Sequence, residues 1–257
     1  LMNLIKLVDI IVLLELEYLG FSSKDTELVT NANSLWLNNK PFKKDLEIAL
    51  NRKVKLMNDA NCFTLSEAVD GAGKEFKSIF GIIIGTGFGG GLSYKKEIIE
   101  GANQIAGDWG HQPLPYPTDE EIKTKIKCPS SNCGRPLCAE QFMSGIGFSK
   151  IFNAKHNTNF DAEEIVSLDN KYDKRAEEEL NLYEDRMARL MAVMIGIFDP
   201  DAIILGGGMS NIDRLYKNIP PLISKYTFSN KVNTKVIKNF HGDSSGVRGA
   251  AWLWNDV

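Results

Sequence analysis

No stretch of the 257-residue sequence approaches the ~18 uninterrupted apolar residues that a membrane-spanning helix needs. The run Ile10 to Leu16 is short, is broken by Glu15, and has neither a basic flank nor a small-residue cleavage site. It reads as a buried strand and makes a poor signal peptide. Cysteine is scarce: four residues cannot build a disulfide scaffold in a chain this long. An excess of one charge is missing too. Thirty Lys and Arg stand against 33 Asp and Glu, a net charge of -3, which argues against a general nucleic-acid or polyanion binder. The expectation is a cytoplasmic protein with small-molecule partners, no nucleic acid and no membrane. Repeats and low-complexity tracts are also absent, and 43% hydrophobic residues suffice for one large domain or two modest ones. Leu1 precedes the first Met, and LMNLIKLVD has the spacing of a helix face, so the N-terminal elements of a longer protein are expected to be missing.

What is present alternates between apolar runs and amphipathic segments, the pattern of an α/β protein. Val54 to Met57, Ser78 to Gly85 and Ala202 to Leu205 read as strands. Ala60 to Val69 has helical spacing and ends at Gly71 and Gly73. Leu92 to Ile99 looks like hairpin material, and Gly107 to Ser131, with four prolines, is irregular. Asp173 to Phe198 reads as one long helix, its Lys171 to Glu179 stretch as a solvated face. Its Met and aromatic positions are core or a subunit interface. A last helix is expected from Ile212, with Ser210 as its N-cap.

Gly85, Gly87 and Gly90 in IIIGTGFGGGLSY fit the G-x-G-x-x-G spacing of a dinucleotide loop. That loop needs a helix directly after it, to hold the pyrophosphate on its N-terminus. Three consecutive glycines, Gly89 to Gly91, are a poor helix start. No Lys-Ser or Lys-Thr follows, so the stretch is not a Walker A loop either. What remains is strand, glycine turn, strand. Such a turn is either a tight hairpin or a place where bare N–H groups meet a phosphate, and five glycines in seven residues favour the phosphate.

Taken alone, Asp59 in Asn58-Asp59-Ala60-Asn61 is equally a base at a cleft or a helix cap. His111 with Cys128, Cys133 and Cys138 supplies four donors that suit tetrahedral zinc, the alternative being reduced, buried cysteines. Cys62 reads as core, and His156 and His241 as surface or packing residues.

In combination, these motifs resemble the ROK family of bacterial sugar kinases, most closely its fructokinase/mannokinase branch. The words that carry the resemblance are NANSLWLN (Asn31 to Asn38), NDANC with SEAVDGA (Asn58 to Ala72), GTGFGGG and GDWGH. Further on come the cysteine run ending in Cys138-Ala139-Glu140, DPD before AIILGGG, LGGGMSNIDRLY (Leu205 to Tyr216) and HGDSSGVRGAAWLW (His241 to Trp254). The resemblance implies an actin-like (ribonuclease H-like), two-lobed ATPase fold with a truncated N-terminal lobe. Residues 1–57 and about 246–257 would be the remnant of the smaller lobe. Residues 58–245 would form the larger, with a zinc-binding loop at about 107–140.

It further implies ATP-dependent phosphorylation of a hexose, fructose to fructose 6-phosphate first, with Mg²⁺ on the ATP phosphates, a structural Zn²⁺ and a homodimer. Asp59 would be the general base; Asn33, Asn58, Asp108, His111 and Glu140 would bind the sugar. Gly85, Thr86, Gly87, Gly89, Gly90, Gly206, Gly207 and Gly208 would hold the nucleotide. His111, Cys128, Cys133 and Cys138 would hold the zinc. A glucokinase or N-acetylhexosamine kinase is the alternative within the family. A non-catalytic ROK-type sugar-sensing repressor is the alternative outside catalysis, and it would need an N-terminal helix-turn-helix of ~60 residues. The sequence departs from the family pattern in lacking the D-x-G-G-T phosphate loop, in carrying Asp108 for Glu, and in a widened cysteine spacing. The third alternative is a degenerate or clipped kinase, which without the first phosphate loop would bind a sugar and fail to turn it over.

Overall fold

The computed structural model describes residues 21–22, 26–30, 35–129, 133–229 and 231–254. The expected elements before residue 21, and Asn33, lie outside them.

The centre is a five-stranded mixed sheet in the order β5-β4-β3-β6-β7. Its strands are β3 (Ser78–Ile84), β4 (Phe88–Tyr94), β5 (Glu97–Ile98), β6 (Ala202–Gly206) and β7 (Lys235–Lys238). β3, β6 and β7 run parallel, while β4 is antiparallel to both β3 and β5. β3 reads SIFGIII because both of its faces are covered. Phe80, Ile82 and Ile84, with Ile203 and Leu205 of β6, face one core. Ile79 and Ile204 face the other, where Phe63 and Ala68 of α2 (Asp59–Val69) meet them.

On the first face lie α4 (Ala139–Met143), α5 (Gly145–His156), α6 (Ala162–Asp169), α7 (Lys174–Phe198) and α8 (Arg214–Ile223), after the short α3 (Asp119–Lys123). Tyr183, Met187, Leu190 and Met191 of α7 are buried in that core, so these positions are core and not interface. The second face carries α2 and α9 (Ser245–Trp252), whose backbones touch: a Cβ on Gly249 would lie 1.7 Å from the Cys62 carbonyl oxygen. Ahead of the sheet come β1 (Phe21–Ser22), β2 (Val29–Thr30) and α1 (Phe42–Leu50).

Three local readings need correction. Val54 to Met57 is not a strand; the Val54 amide donates to the Glu47 carboxylate at 3.1 Å and no ladder forms there. Ser210 does not cap α8. It lies in a 3-10 turn, Gly208–Asn211, where its hydroxyl donates to the Gly207 oxygen at 2.6 Å, and the helix begins after Asp213. Glu179 is not solvated: it is buried and pairs with Arg186 at 2.9 Å. Among the described residues, no helix is long and apolar enough to cross a membrane.

Candidate active site

The glycine stretch is a hairpin with its helix absent, as its context required: Gly85-Thr86-Gly87 turns between β3 and β4. Gly85 donates to the Gly87 carbonyl at 3.0 Å, and the Gly85 carbonyl accepts from Gly145 at 2.8 Å. Gly89 and Gly91 let α2 and the sheet approach each other, and Gly90 leaves room for a ring on the other face. A Cβ on Gly91 would lie 2.6 Å from the Thr64 hydroxyl, and one on Gly90 2.7 Å from the Phe80 ring. Gly89 faces Ala60 across 3.7 Å. Gly206 meets the Phe63 ring in the same way, and Gly207, at φ +78°, crosses the Ile84 backbone.

Gly85, Thr86 and Gly208, far apart in sequence, line one cavity of about 1000 Å³ together with Gly145, Lys150 and Asn211. Gly87 is not part of that lining, and its would-be Cβ would lie 3.2 Å from a Glu140 oxygen. One three-residue turn therefore separates the cavity from the carboxylate.

Asn58, not Asp59, caps α2, its side chain accepting from the Asn61 amide at 2.8 Å. Asp59 follows as the first helical residue, exposed, with one oxygen accepting from the Ala60 amide at 2.8 Å. The cap thus belongs to a neighbour, and the Asp59 carboxylate stands at the helix end where the macrodipole favours its charge.

GDWGH is seated on β4 by its two glycines. Gly107 has φ +88° and leaves room for Gly90 and Gly91, whose atoms would be 2.9 Å from a Cβ. A Cβ on Gly110 would be 1.8 Å from the Phe88 oxygen. Between them Trp109 stacks on Phe88 and meets Phe80 edge-on. Burial pushes the Asp108 carboxyl up; His111 opposes this and the Glu140 charge adds to it. Glu140 is buried on α4, and its oxygen accepts from the Phe88 amide at 3.3 Å.

His111, Cys128, Cys133 and Cys138 offer donor atoms all within 4.8 Å of one another. His111 Nδ1 is 3.4 Å from Cys138 Sγ, and Cys128 Sγ is 3.5 Å from it. A tetrahedron with Zn–S near 2.3 Å and Zn–N near 2.05 Å has edges of about 3.8 Å between sulfurs and about 3.6 Å between nitrogen and sulfur. The four donors fit that ion. Cys128, moved by the widened spacing, is among them, and it also touches Glu140 at 3.3 Å. Its bond to the Cys138 sulfur and its burial push its thiol up, so a bound cation would have to drive the proton off.

Sequence reasoning missed the α5 side of the cavity. Ser144 caps α5 on the Gly147 amide at 3.0 Å, which sets Gly145 against Gly85 and turns the helix start toward the cavity. The signal was Ser144-Gly145-Ile146-Gly147, a cap followed by two glycines. It also left Asp201 and His241 without roles. Asp201 accepts from the Lys77 and Ser78 amides and the Ser78 hydroxyl, pinning the start of β3. His241 lies 2.9 Å from Asp70.

The family model described as ROK family matches residues 8–257. The N-acetyl-D-glucosamine kinase of Vibrio cholerae serotype O1 is 37% identical over 234 residues, 91% of this chain and 78% of that protein. The N-acetyl-D-glucosamine kinase of Vibrio atlanticus is 40% identical over 214 residues, 83% of this chain and 71% of that one. The crystal structure of a ROK family glucokinase from Streptomyces griseus, in complex with glucose and AMPPNP, superposes with a TM-score of 0.76 at 22% identity, covering 91% of this chain and 78% of that one. The fold is thus the actin-like α/β ATPase fold.

Proposed function

Since the chain belongs to the ROK family, we propose that it transfers the γ-phosphoryl group of ATP to a hexose hydroxyl, with N-acetyl-D-glucosamine the leading substrate. The observation that carries the reading is the turn Gly85-Thr86-Gly87, with a nucleotide-sized cavity on one side and the carboxylate of Glu140 on the other. Relatives named as N-acetyl-D-glucosamine kinases support the choice of sugar. Fructose is the second reading, favoured by the words at Asn31 to Asn38, Leu205 to Tyr216 and His241 to Trp254.

In this mechanism Asp59 accepts the proton of the attacking hydroxyl, a role worth about 10²- to 10⁴-fold in rate. Asn33, Asn58, Asp108, His111 and Glu140 hold the other hydroxyls. Asn58 does so with the amide end, because its oxygen is committed to the α2 cap. Gly85, Thr86 and Gly208 border the phosphates, while Gly87, Gly89, Gly90, Gly206 and Gly207 keep the turn and strands close enough to do so. Mg²⁺ arrives with ATP and offsets its charge. Zinc on His111, Cys128, Cys133 and Cys138 would be structural, fixing the loop that presents Asp108 and His111. Residues 1–57 with about 246–257 form the smaller lobe in this reading and 58–245 the larger. A second copy completes the assembly, supported by the exposed Val193 and Ile197 on α7.

The test is ATP consumption against N-acetyl-D-glucosamine, fructose, mannose and glucose. Turnover with the first and not the others supports the leading reading, and a preference for fructose replaces it with the second. Asp59→Asn is expected to lower kcat at least about 100-fold while sugar binding by calorimetry persists. Near-normal turnover in that variant would remove the base assignment.

A further inference from the structure

The Glu67 side chain is fully buried on α2 and carries more hydrogen bonds than a helix needs. One oxygen accepts from the Ala72 amide at 2.8 Å and the Phe240 amide at 3.0 Å. The other accepts from the Ser245 hydroxyl at 2.8 Å and the His241 amide at 3.3 Å. Both oxygens are therefore acceptors, which a carboxylate provides and a carboxamide does not. No ion pair to Glu67 is found among the described residues. Its donors are neutral and three of the four are backbone amides, so the group acts as a fastener between two segments.

Those segments lead to the two ligand regions. Upstream in α2, eight residues and about 12 Å of rigid helix away, is Asp59. The segment it fastens begins at Asn239, whose amide and side chain donate to the Leu205 carbonyl at 3.0 and 2.9 Å. The Asn239 side chain also donates to the Ser210 hydroxyl at 3.2 Å, and that hydroxyl donates to the Gly207 carbonyl at 2.6 Å. Asn239 Oδ1 accepts from the Gly242 amide at 2.6 Å, closing the turn that delivers Phe240 and His241 to Glu67. Asp70, pairing with His241 and Arg248, holds the end of α2 to the same segment. Hydrogen bonds thus run from the Gly206–Gly208 loop to Asn239, and from the next two residues, Phe240 and His241, to Glu67 on the helix that starts with Asp59.

We propose that Glu67 is a positioning residue that couples the glycine loop of the nucleotide cavity to the helix carrying Asp59, so that nucleotide and sugar strengthen each other's binding. The proposal rests on the kinase reading above. Coupling of this kind is reciprocal and typically amounts to about fivefold or more in affinity.

The experiment titrates the preferred sugar by calorimetry with and without saturating AMPPNP, in the wild-type chain, Glu67→Gln and Asn239→Ala. The wild type is expected to bind sugar at least about fivefold more tightly with AMPPNP present. Both variants are expected to keep the sugar affinity measured without nucleotide and to lose most of that tightening. Their KM for sugar at saturating ATP should rise about fivefold and their kcat should fall about tenfold, and Glu67→Asp should restore part of both. If Glu67→Gln does not fold, Asn239→Ala breaks the same chain without touching the buried carboxylate. Full tightening in a folded variant overturns the proposal. So does a wild type that turns over sugar without any tightening, which leaves the kinase reading intact. A wild type that binds neither ligand removes both.

Discussion

At the scale of single residues, the glycines divide into two kinds that look alike in the sequence. Gly85 borders a ligand cavity, whereas Gly90, Gly91, Gly107 and Gly110 exist because backbone or ring atoms occupy the place of a Cβ. Gly110→Ala is expected to destabilise the chain by about 1–3 kcal/mol, since a Cβ there would overlap the Phe88 carbonyl. The lost metal-loop seating should appear as reduced zinc content by atomic absorption, alongside a lower Tm. The proposal that Asp59 is a base rests in the sequence only on the surrounding words. The physical fact that separates it from a cap, the use of Asn58 for capping, requires the backbone. His241 and Asp201 were illegible for a related reason, because their partners lie 171 and 123 or more residues away.

At the scale of elements, the strands and helices around the sheet were readable because each had a full-length apolar pattern. β3, α2, α7 and β6 all fall where periodicity put them. The weak reading was at Val54 to Met57, four residues whose apolar content serves burial without a ladder partner. The buried charge network holding α3 was hidden as well. Glu121 accepts from Arg186 at 2.8 Å and Arg189 at 2.7 Å, anchoring α3 of the Gly107–Glu140 loop to α7. Despite its burial, these two arginines and the Thr118 amide bring the Glu121 carboxyl down from 4.5 to about 2. A lowered folded pKa stabilises the chain above the unfolded value and loses that contribution as pH falls toward the folded one. The wild-type Tm is therefore expected to drop between pH 4.5 and pH 2 more steeply than that of Glu121→Gln. At pH 7 that variant should be less stable by about 3–5 kcal/mol, because two buried arginines lose their shared partner. Parallel Tm curves for the two proteins would show that Glu121 contributes no such linkage.

For the molecule as a whole, the loop from Gly107 to Glu140 meets the body at β4 and at α7, and the cluster of His111 with three cysteines closes the loop on itself. Chelation at neutral pH is expected to lower Tm and sugar affinity while leaving the far-UV dichroism of the sheet and α7 nearly intact, and added Zn²⁺ should restore both. Complete unfolding on chelation would mean the cluster supports the whole fold and not the loop alone. The narrow turn Gly85-Thr86-Gly87 has a consequence for which molecule receives the phosphoryl group. In the proposed kinase it would be a partition three residues thick between donor and acceptor, and water would compete with sugar at any gap in it. One alanine inserted after Thr86 is expected to raise the fraction of ATP spent on hydrolysis over the fraction delivered to sugar. Counting released phosphate against sugar phosphate in the same reaction measures that ratio.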